Sequence, residues 1–454
     1  MNQKIVAIGV VIVLIVAGVA IFLVVDGKDK GNERPLLDNA LEVYGNANND
    51  WTINDEDVSL IESIIADGNW DRSKYPYADA NRDGKVDQKD VDQVKALANN
   101  TAETVWIVDG VGTIMSVKCQ PQRIYAFQIQ NAELCAVMGY GDKIVAAGPP
   151  IEYYEPFLFP NNKNDVEYFS GDYERMSELD LDLYLVFSDT QIDTPKANLP
   201  DTDVVYLGLY YPEIADMESS AFAQGILKAG YIFGTKDRAE GYLNFLLDLR
   251  DTIADRTSSL AEDDKVKVLV SQYSTYYLSN PDNHEVVAYL KPDTISQAVA
   301  LAGGYNVAST LPVYETGGYS VRNEVEWLDT IDIDWVTIHF QRYAWTGIDY
   351  SSPEGGYTAT NPAGMYEAID EIATRPLLDV DKDHLIMLPQ EFRNGSTGGI
   401  MAAAYFAEAF YPELFSDFDA DSYMEEYVKV WLGVDNYNYS EHEAAIIGYG
   451  ARGN

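Results

Sequence analysis

The chain has 454 residues, with 73 Asp and Glu against 31 Lys and Arg and a formal net charge of -42. So negative a surface repels a polyanion, and the clustered Lys and Arg that phosphate recognition needs are missing, which excludes a nucleic-acid binder. A hydrophobic content of 47%, with aromatic residues 12% of the chain, supplies real cores, so disorder is not the default reading, and the length fits roughly two to four domains.

Residues 5–25 read IVAIGVVIVLIVAGVAIFLVV, without one charge. At about 1.5 Å per residue this segment spans the roughly 30 Å hydrocarbon core of a bilayer. An uncleaved N-terminal membrane anchor is the expectation. The competing reading is a cleaved secretory signal, whose apolar stretch is usually only about 7–15 residues and ends at a small-residue cleavage site. Neither an Ala-x-Ala site nor a lipid-accepting Cys follows Val25. Residues 26–35 read as a linker. No second apolar run follows, and Asn-x-Ser/Thr sequons at Asn99, Asn394 and Asn438 point to an exterior location, a weak signal because such triplets arise by chance.

Residues 46–57 (NANNDWTINDED) and 79–90 (DANRDGKVDQKD) align without a gap at an offset of 33. In the second segment Asp79, Asn81, Asp83 and Asp87 occupy positions 1, 3, 5 and 9 of a twelve-residue calcium loop, with Gly84 at the turn, Lys85 at position 7 and Asp90 closing it. Calcium takes about six to eight oxygens, and alternate residues of a tight loop followed by a helix bring them to one point. In the first segment Asn46, Asn48, Asp50, Thr52, Asn54 and Asp57 hold the equivalent places. There Asn46 replaces an Asp at position 1, and Trp51 stands where Gly would ease the turn. Val86, at position 8, is expected to tie its loop to the other by a short backbone pairing. An amphipathic helix follows each loop, VSLIESIIA from Val58 and VDQVKALA from Val91. Asp and Asn cluster in the loops of any acidic chain, but two copies in register argue against coincidence. Over residues 36–99 the pair resembles the type I dockerin module of cell-surface proteins, which also closes its loops with Asp. That resemblance implies about two Ca2+ ions, folding coupled to binding them, and a cohesin-like partner. Chelation is then expected to unfold this module and leave the rest folded.

Beyond Thr101 short β-branched runs alternate with helical stretches, which predicts α/β architecture. Strands are expected at 105–108, 123–127, 143–147, 183–187 and 204–207, with helices at 132–138 and 174–179. A second set has strands at 265–270, 335–339 and 385–388 and helices near 294–302, 366–373 and 400–410. Between the sets lies a long helical stretch, about 219–259, interrupted around Gly230 to Gly234. Two Rossmann-like α/β lobes, 103–218 and 263–433, joined by a long helix at 219–262 and followed by a tail at 434–454, are the simplest reading.

The run 104–148, TVWIVDGVGTIMSVKCQPQRIYAFQIQNAELCAVMGYGDKIVAAG, is similar to the start of the solute-binding proteins that serve iron-siderophore, haem and cobalamin importers. Pro121, Arg123, Ile124, Glu133, Gly139, Gly141, Asp142, Lys143, Ile144 and Val145 match that family's order. ERMSELDLDLYLV (174–186) and EWLDTIDIDWVTI (326–338) resemble its equivalent stretches in the two lobes, with Leu181 and Ile333 for the usual Pro. The closing run 373–415 is similar to its C-terminal strand, open loop and helix, with Tyr411 for the His of a His-Pro-Glu ending.

The resemblance implies two lobes on a rigid connection, a ligand in the cleft between them, and small motion on binding. The facing loops then carry Phe127, Gln128, Tyr153, Tyr154, Tyr173 and Tyr210 on the first lobe, and Tyr273, Tyr276, Tyr319, Arg342, Trp345 and Arg393 on the second. Aromatic walls give a bulky chelate a large contact area at low entropy cost, and Arg342 or Arg393 would pair with an anionic ligand. The bland reading is that 33 tyrosines simply populate a surface. By the same resemblance, Glu174 and Glu326 sit one per lobe on the outer face and pair with Arg residues of an ABC permease.

Other chemistry is missing. Four histidines show no paired spacing, which disfavours a free-metal receptor, and neither a Gly-x-Ser-x-Gly elbow nor a phosphate loop is present. Gly395 to Gly399, GSTGG, reads as a flexible ligand-side loop. Cys119 and Cys135 fit no zinc pattern; they form either one bridge or, as preferred, two buried thiols. The expected function is a membrane-anchored extracellular receptor, not an enzyme, that captures a metal chelate, foremost a ferric siderophore, for an ABC importer. A corrinoid or haem receptor of the same fold, or a dockerin-bearing carbohydrate-active or chelatase-like enzyme, are the alternatives.

Overall fold

Each calcium-type loop runs into a helix that the loop's own side chains start. Asn54 caps the helix Asp55–Asp67 and Asp87 caps Gln88–Ala98, and the Asp three residues on, Asp57 or Asp90, accepts in return from the cap residue's own amide. These pairs satisfy amides that the first turn leaves open. Val58, Ile61 and Ile64 on one helix and Val91, Val94 and Leu97 on the other are buried, as their spacing predicts. The computed structural model describes residues 40–154, 165–210, 212–273, 284–340, 357, 363–374, 380–435, 437–438 and 447–448. No helix among the described residues is long and apolar enough to cross a membrane; the expected anchor at 5–25 and the linker lie outside them.

After the module comes an antiparallel hairpin, β1 (Thr104–Val108) with β2 (Ile114–Lys118). Residues 42–44 run along the free edge of β1, with Tyr44 N–H donating to the Trp106 carbonyl at 2.9 Å and Val108 N–H to the Glu42 carbonyl at 3.0 Å. One buried cluster contains Leu41, Val43, Ile53, Val94 and Leu97 of the module together with Ile107 of β1 and Ile226 and Tyr231 of the helix that follows the first lobe. The module therefore shares a core with its neighbour, which argues against melting it alone.

The first lobe is a parallel sheet in the order β5-β4-β3-β6-β7, from β3 (Ile124–Ala126), β4 (Ile144–Ala147), β5 (Glu167–Tyr168), β6 (Leu183–Leu185) and β7 (Asp203–Val205). The inner strands β3, β4 and β6 are short, largely apolar runs that are almost wholly buried, as the middle of a parallel sheet requires, while the edge strand β5 is only half-buried. Helix Ile129–Val137 begins three residues before the expected start because the Gln128 side chain accepts from the Ile129 amide. In the second lobe β8 (Lys267–Gln272), β12 (Trp335–Phe340) and β13 (Leu385–Pro389) are parallel neighbours. On one side β9 (Glu285–Tyr289) and β11 (Ser320–Glu324) add antiparallel strands, β10 (Tyr305–Asn306) pairs with β8, and β14 (Ile447–Gly448) closes the far edge.

The connection is a helical hairpin, not one long helix: Ala221–Phe233 ends at Gly234, φ 65, and Lys236–Thr257 runs back against it. Gly230 allows their close approach, since a Cβ there would sit 2.6 Å from the Ala239 Cβ and 2.9 Å from the Lys236 Cα. Cys119 and Cys135 are both free and buried, and burial pushes the Cys119 thiol up to about 12.

Candidate functional site

In a doubly wound parallel sheet the crevice opens beyond the carboxyl ends of the strands, where neighbouring connections diverge. That point in the first lobe lies between β3 and β6, whose ends lead into Phe127 and Phe187. Their rings are 6.5 Å apart, and Phe187 packs on Tyr210 at 3.9 Å between centroids. Tyr210 in turn meets Tyr319 of the second lobe at 6.4 Å and 62°. Tyr206 stands close enough to Asp189, Tyr210 and Tyr319 to feel their charges; burial foremost, then those neighbours, push its phenol up to about 12. The half-buried rings of Phe187, Tyr206 and Tyr210, backed by the buried Phe127 and with Tyr319 exposed, form an aromatic wall that crosses from lobe to lobe.

Several other expected ligand residues also have definite places in the fold. Phe127 and Tyr273 are buried, Gln128 is spent on its helix, and Tyr173 packs in the cluster around Tyr125 and Tyr184. Tyr153 and Tyr154 end the helix Pro149–Tyr154. Tyr276, Arg342 and Trp345 lie outside the described residues.

Arg393 is buried and already paired. Its Nε and an Nη donate to one Asp293 oxygen at 2.9 and 2.6 Å, while the other Asp293 oxygen caps helix Thr294–Leu301 through the Ile295 amide. The guanidinium also lies 5.1 Å from the centre of the Tyr289 ring, whose hydroxyl bonds His339 Nδ1 at 2.9 Å. Burial, with Arg393 nearby, holds the His339 imidazole well below its ordinary range and therefore neutral.

The Gly395 to Gly399 segment is no flexible ligand-side loop. All five residues are buried, and a Cβ on Gly398, at φ 59, would meet Phe222 at 2.9 Å and Pro212 at 3.1 Å. Here glycine serves a close approach between the lobes. Beside it Glu133 of the first lobe accepts from the Ser396 amide, and from the Tyr427 hydroxyl at 2.8 Å. The Ser396 hydroxyl bonds Tyr242 at 2.9 Å and Tyr427 at 3.0 Å. Sequence spacing gives no hint of this seam, because Glu133 and Tyr242 stand 263 and 154 residues before Ser396.

Glu174 and Glu326 are exposed near the starts of two short helical segments, Tyr173–Glu178 and Val325–Thr330. Each segment follows an edge strand of its sheet, β5 or β11. The two lobes thus present the pair in equivalent settings.

Among the described residues no three His, Cys, Asp or Glu side chains are already gathered as a metal cluster. The loops still fit a cation. Asp79 Oδ1 and Asn46 Oδ1, both at position 1, are buried acceptors without a hydrogen-bond donor. In the first loop the Asn46 amide is fixed by the Leu41 and Asp50 carbonyls, each at 2.9 Å. Burial first, then the charge of Asp83, raises Asp79; burial, then Asp79 and Asp87, raises Asp90. Burial, with Asp50 near, pushes Asp57 up to about 6. Like charges this close are what a bound cation relieves. Gly84 takes φ 92, and Asn49 and Arg82, both at position 4, take φ 61 and 57. In place of the expected pairing between loops, the Ile53 amide donates to the Tyr231 hydroxyl of the helix Ala221–Phe233 at 2.6 Å.

Residues 44–97 match the family model for the dockerin type I domain. No curated protein sequence matches the chain. Among solved structures, a TroA-like periplasmic binding protein named FepB from Veillonella parvula superposes with a TM-score of 0.55 at 16% identity, over 72% of this chain and 95% of its own. The molybdate periplasmic binding protein MolA of Haemophilus influenzae, bound to molybdate, gives 0.53 at 16% identity, over 72% and 98%. CeuE of Helicobacter pylori with Ni(II) bound gives 0.53 at 15% identity, over 74% and 98%. The likeness is one of fold: two lobes in the periplasmic-binding-protein arrangement.

Proposed function

We propose that the chain is the extracellular capture component of an ABC importer, held to the membrane by residues 5–25, and that a metal chelate, a ferric siderophore, binds between its lobes. The observation that carries this reading is the aromatic wall of Phe187, Tyr210 and Tyr319, shared by both lobes beyond the strand ends. Tyr and Phe offer a bulky chelate a wide face while losing only two side-chain torsions each. The names of the structural neighbours, for binding of molybdate and Ni(II), support a metal-containing ligand class. In this reading the chain acts by binding and not by catalysis.

In this reading Glu174 and Glu326 engage a permease, one per lobe. The calcium loops take about two ions, with Asp79, Asn81, Asp83, Asp87 and Asp90 and the Lys85 carbonyl as the stronger set and Asn46, Asn48, Asp50, Asn54 and Asp57 with the Thr52 carbonyl as the other. Bound calcium would neutralise their carboxylates and fix the helix starts. A cohesin-like domain is the proposed partner of the module's exposed face.

A thermal-shift panel of ferric siderophores, haem and cobalamin tests the reading. A ligand present at 100 times its dissociation constant stabilises by about 2.7 kcal/mol. Stabilisation by a ferric siderophore alone is the expected result. A response only to haem or cobalamin would replace the ligand, and no response to any chelate would sink the receptor reading.

A further inference from the structure

We propose that the calcium-loop module is a brace built onto the first lobe, and that calcium held in it orders the part of that lobe that walls the cleft. The inference goes beyond the binding-protein reading and does not depend on it.

The first observation is how the module is attached. Lys228, in the helix Ala221–Phe233, has a side chain only 3% exposed and reaches Glu42 at 2.8 Å. Next to it Gln224 accepts from the Glu42 amide and donates to the Ala40 carbonyl. The Tyr231 hydroxyl accepts from Ile53, inside the first calcium loop. From the second loop Arg82 lies over both Tyr44 and Trp106, at 4.6 and 5.2 Å from the ring centres, and donates to the Tyr44 hydroxyl at 2.8 Å. A buried lysine needs its carboxylate, and a buried phenol needs its partner, so these groups are costly unless the module stays docked. A pendant docking module on a tether would leave the same positions in water.

The second observation is where the attachment leads. Strand β1, edged by residues 42–44, ends in a tight turn in which Asp109 accepts from the amides of Val111 and Thr113. At that turn the Gly110 amide donates to the Tyr206 carbonyl at 2.7 Å, and a Cβ on Gly110 would stand 2.9 Å from both the Gly208 nitrogen and the Tyr206 ring. From the other side, a Cβ on Gly225 would stand 2.1 Å from the Leu207 carbonyl oxygen. The segment 206–208 is therefore pinched between the hairpin turn and the Ala221–Phe233 helix. Both of these carry the module, and the segment runs directly into Tyr210. This is a contiguous packed path from the calcium loops to the cleft wall, which is the form a coupling between sites takes. The loops themselves fit a cation through the undonated buried oxygens of Asn46 and Asp79.

Ions that bind only the folded loops stabilise whatever must come apart with them. Hydrogen exchange on the full chain, in saturating calcium and in chelator, reads this directly, with no chelate ligand added. Amides in 104–110, 203–208 and 221–233 are expected to exchange about fivefold or more slowly with calcium, the lower end of ordinary coupling between sites. Amides in 385–389 and 400–410 of the second lobe serve as the reference and stay unchanged. The double variant Arg82→Ala, Tyr231→Phe keeps every calcium ligand. In it calcium still protects 46–98 but loses most of its effect on 203–208. The proposal is overturned by an effect confined to the module, by an equal effect on the second lobe, by a full response in the double variant, or by no calcium binding at all. Any of those results would leave the chelate-receptor reading standing, and a failed chelate panel would leave this one standing.

Discussion

Replacing Asp293 by Asn tests whether Arg393 is a structural cation or a ligand anchor. Asp293 has two jobs: one oxygen caps the helix Thr294–Leu301, and the other holds both guanidinium donors of Arg393. Asparagine keeps a cap acceptor but removes the negative charge, and so leaves Arg393 buried and uncompensated. Breaking a buried pair from one side costs about 3–5 kcal/mol. Asp293→Ala should add about 1 kcal/mol for the lost cap. Removing both charges, as in Asp293→Asn with Arg393→Met, should recover most of the loss, because the desolvation cost of the pair vanishes with it. Two lobes need not unfold in one step, so the local opening of Thr294–Leu301 by hydrogen exchange is the measurement to use. A cost for Asp293→Asn below about 1 kcal/mol would refute the structural role, since that lies in the range of an exposed pair. An accompanying gain in affinity for anionic chelates would show Arg393 turning to the ligand once its carboxylate partner is gone.

Charge reversal at both outer carboxylates, Glu174→Lys with Glu326→Lys, is expected to abolish uptake while leaving chelate affinity unchanged; transport at the parent rate in cells would refute the docking role. Burial raises the Glu408 carboxyl to about 7 from 4.5, with Asp421 and Asp419 adding to the shift. The folded state therefore holds a proton that the unfolded chain has released, so this contribution is complete below about pH 4.5 and is lost as pH rises through 7. Glu408→Gln, which retains an acceptor for the Ala420 amide, should be more stable than the parent at pH 8 and similar at pH 4, measured as melting temperature against pH. Gly230→Leu would press a side chain into Ala239 and Lys236 and should destabilise the helical hairpin by about 1–3 kcal/mol in urea unfolding, as overpacking does; an unchanged midpoint would mean the helices separate freely there.

How much of this was legible depended on how locally each feature is encoded. IMAAAYFAEAF reads as one buried helix, and the helix runs from Ile400 to Phe410 as expected. Gly234 marked the break in the connecting stretch, since its left-handed φ ends one helix and lets the next turn back. The two dockerin-like loops were legible because the candidate ligands of each lie within twelve residues. The GSTGG segment was misread for a physical reason: the glycines that make a loop flexible in water also let two surfaces touch, and composition does not say which applies. Arg393 posed the same problem, because its partner Asp293 lies a hundred residues away. The Tyr231 bond to Ile53 spans 178 residues, and nothing in the dockerin-like pattern announces that the module has a docking surface within its own chain.

The seam behind the cleft constrains how the cleft can work. Glu133 ties the first lobe to Ser396 and Tyr427, the Ile214 amide donates to Gln297 at 2.9 Å, and Gly398 presses on Pro212 and Phe222. A wide hinge closure would have to pull a buried carboxylate away from two donors, and such a group has no water to replace them. The lobes therefore approach as nearly rigid bodies, and the walls must be close to their final shape before the ligand arrives. On the proposed reading, affinity would rest on how well a chelate fills the gap at Phe187, Tyr210 and Tyr319, and a preformed wall has already met the ordering cost that a closing one would charge against binding. Selection falls on the breadth and curvature of the ligand, while Arg393, already matched to Asp293, keeps the second-lobe floor in place.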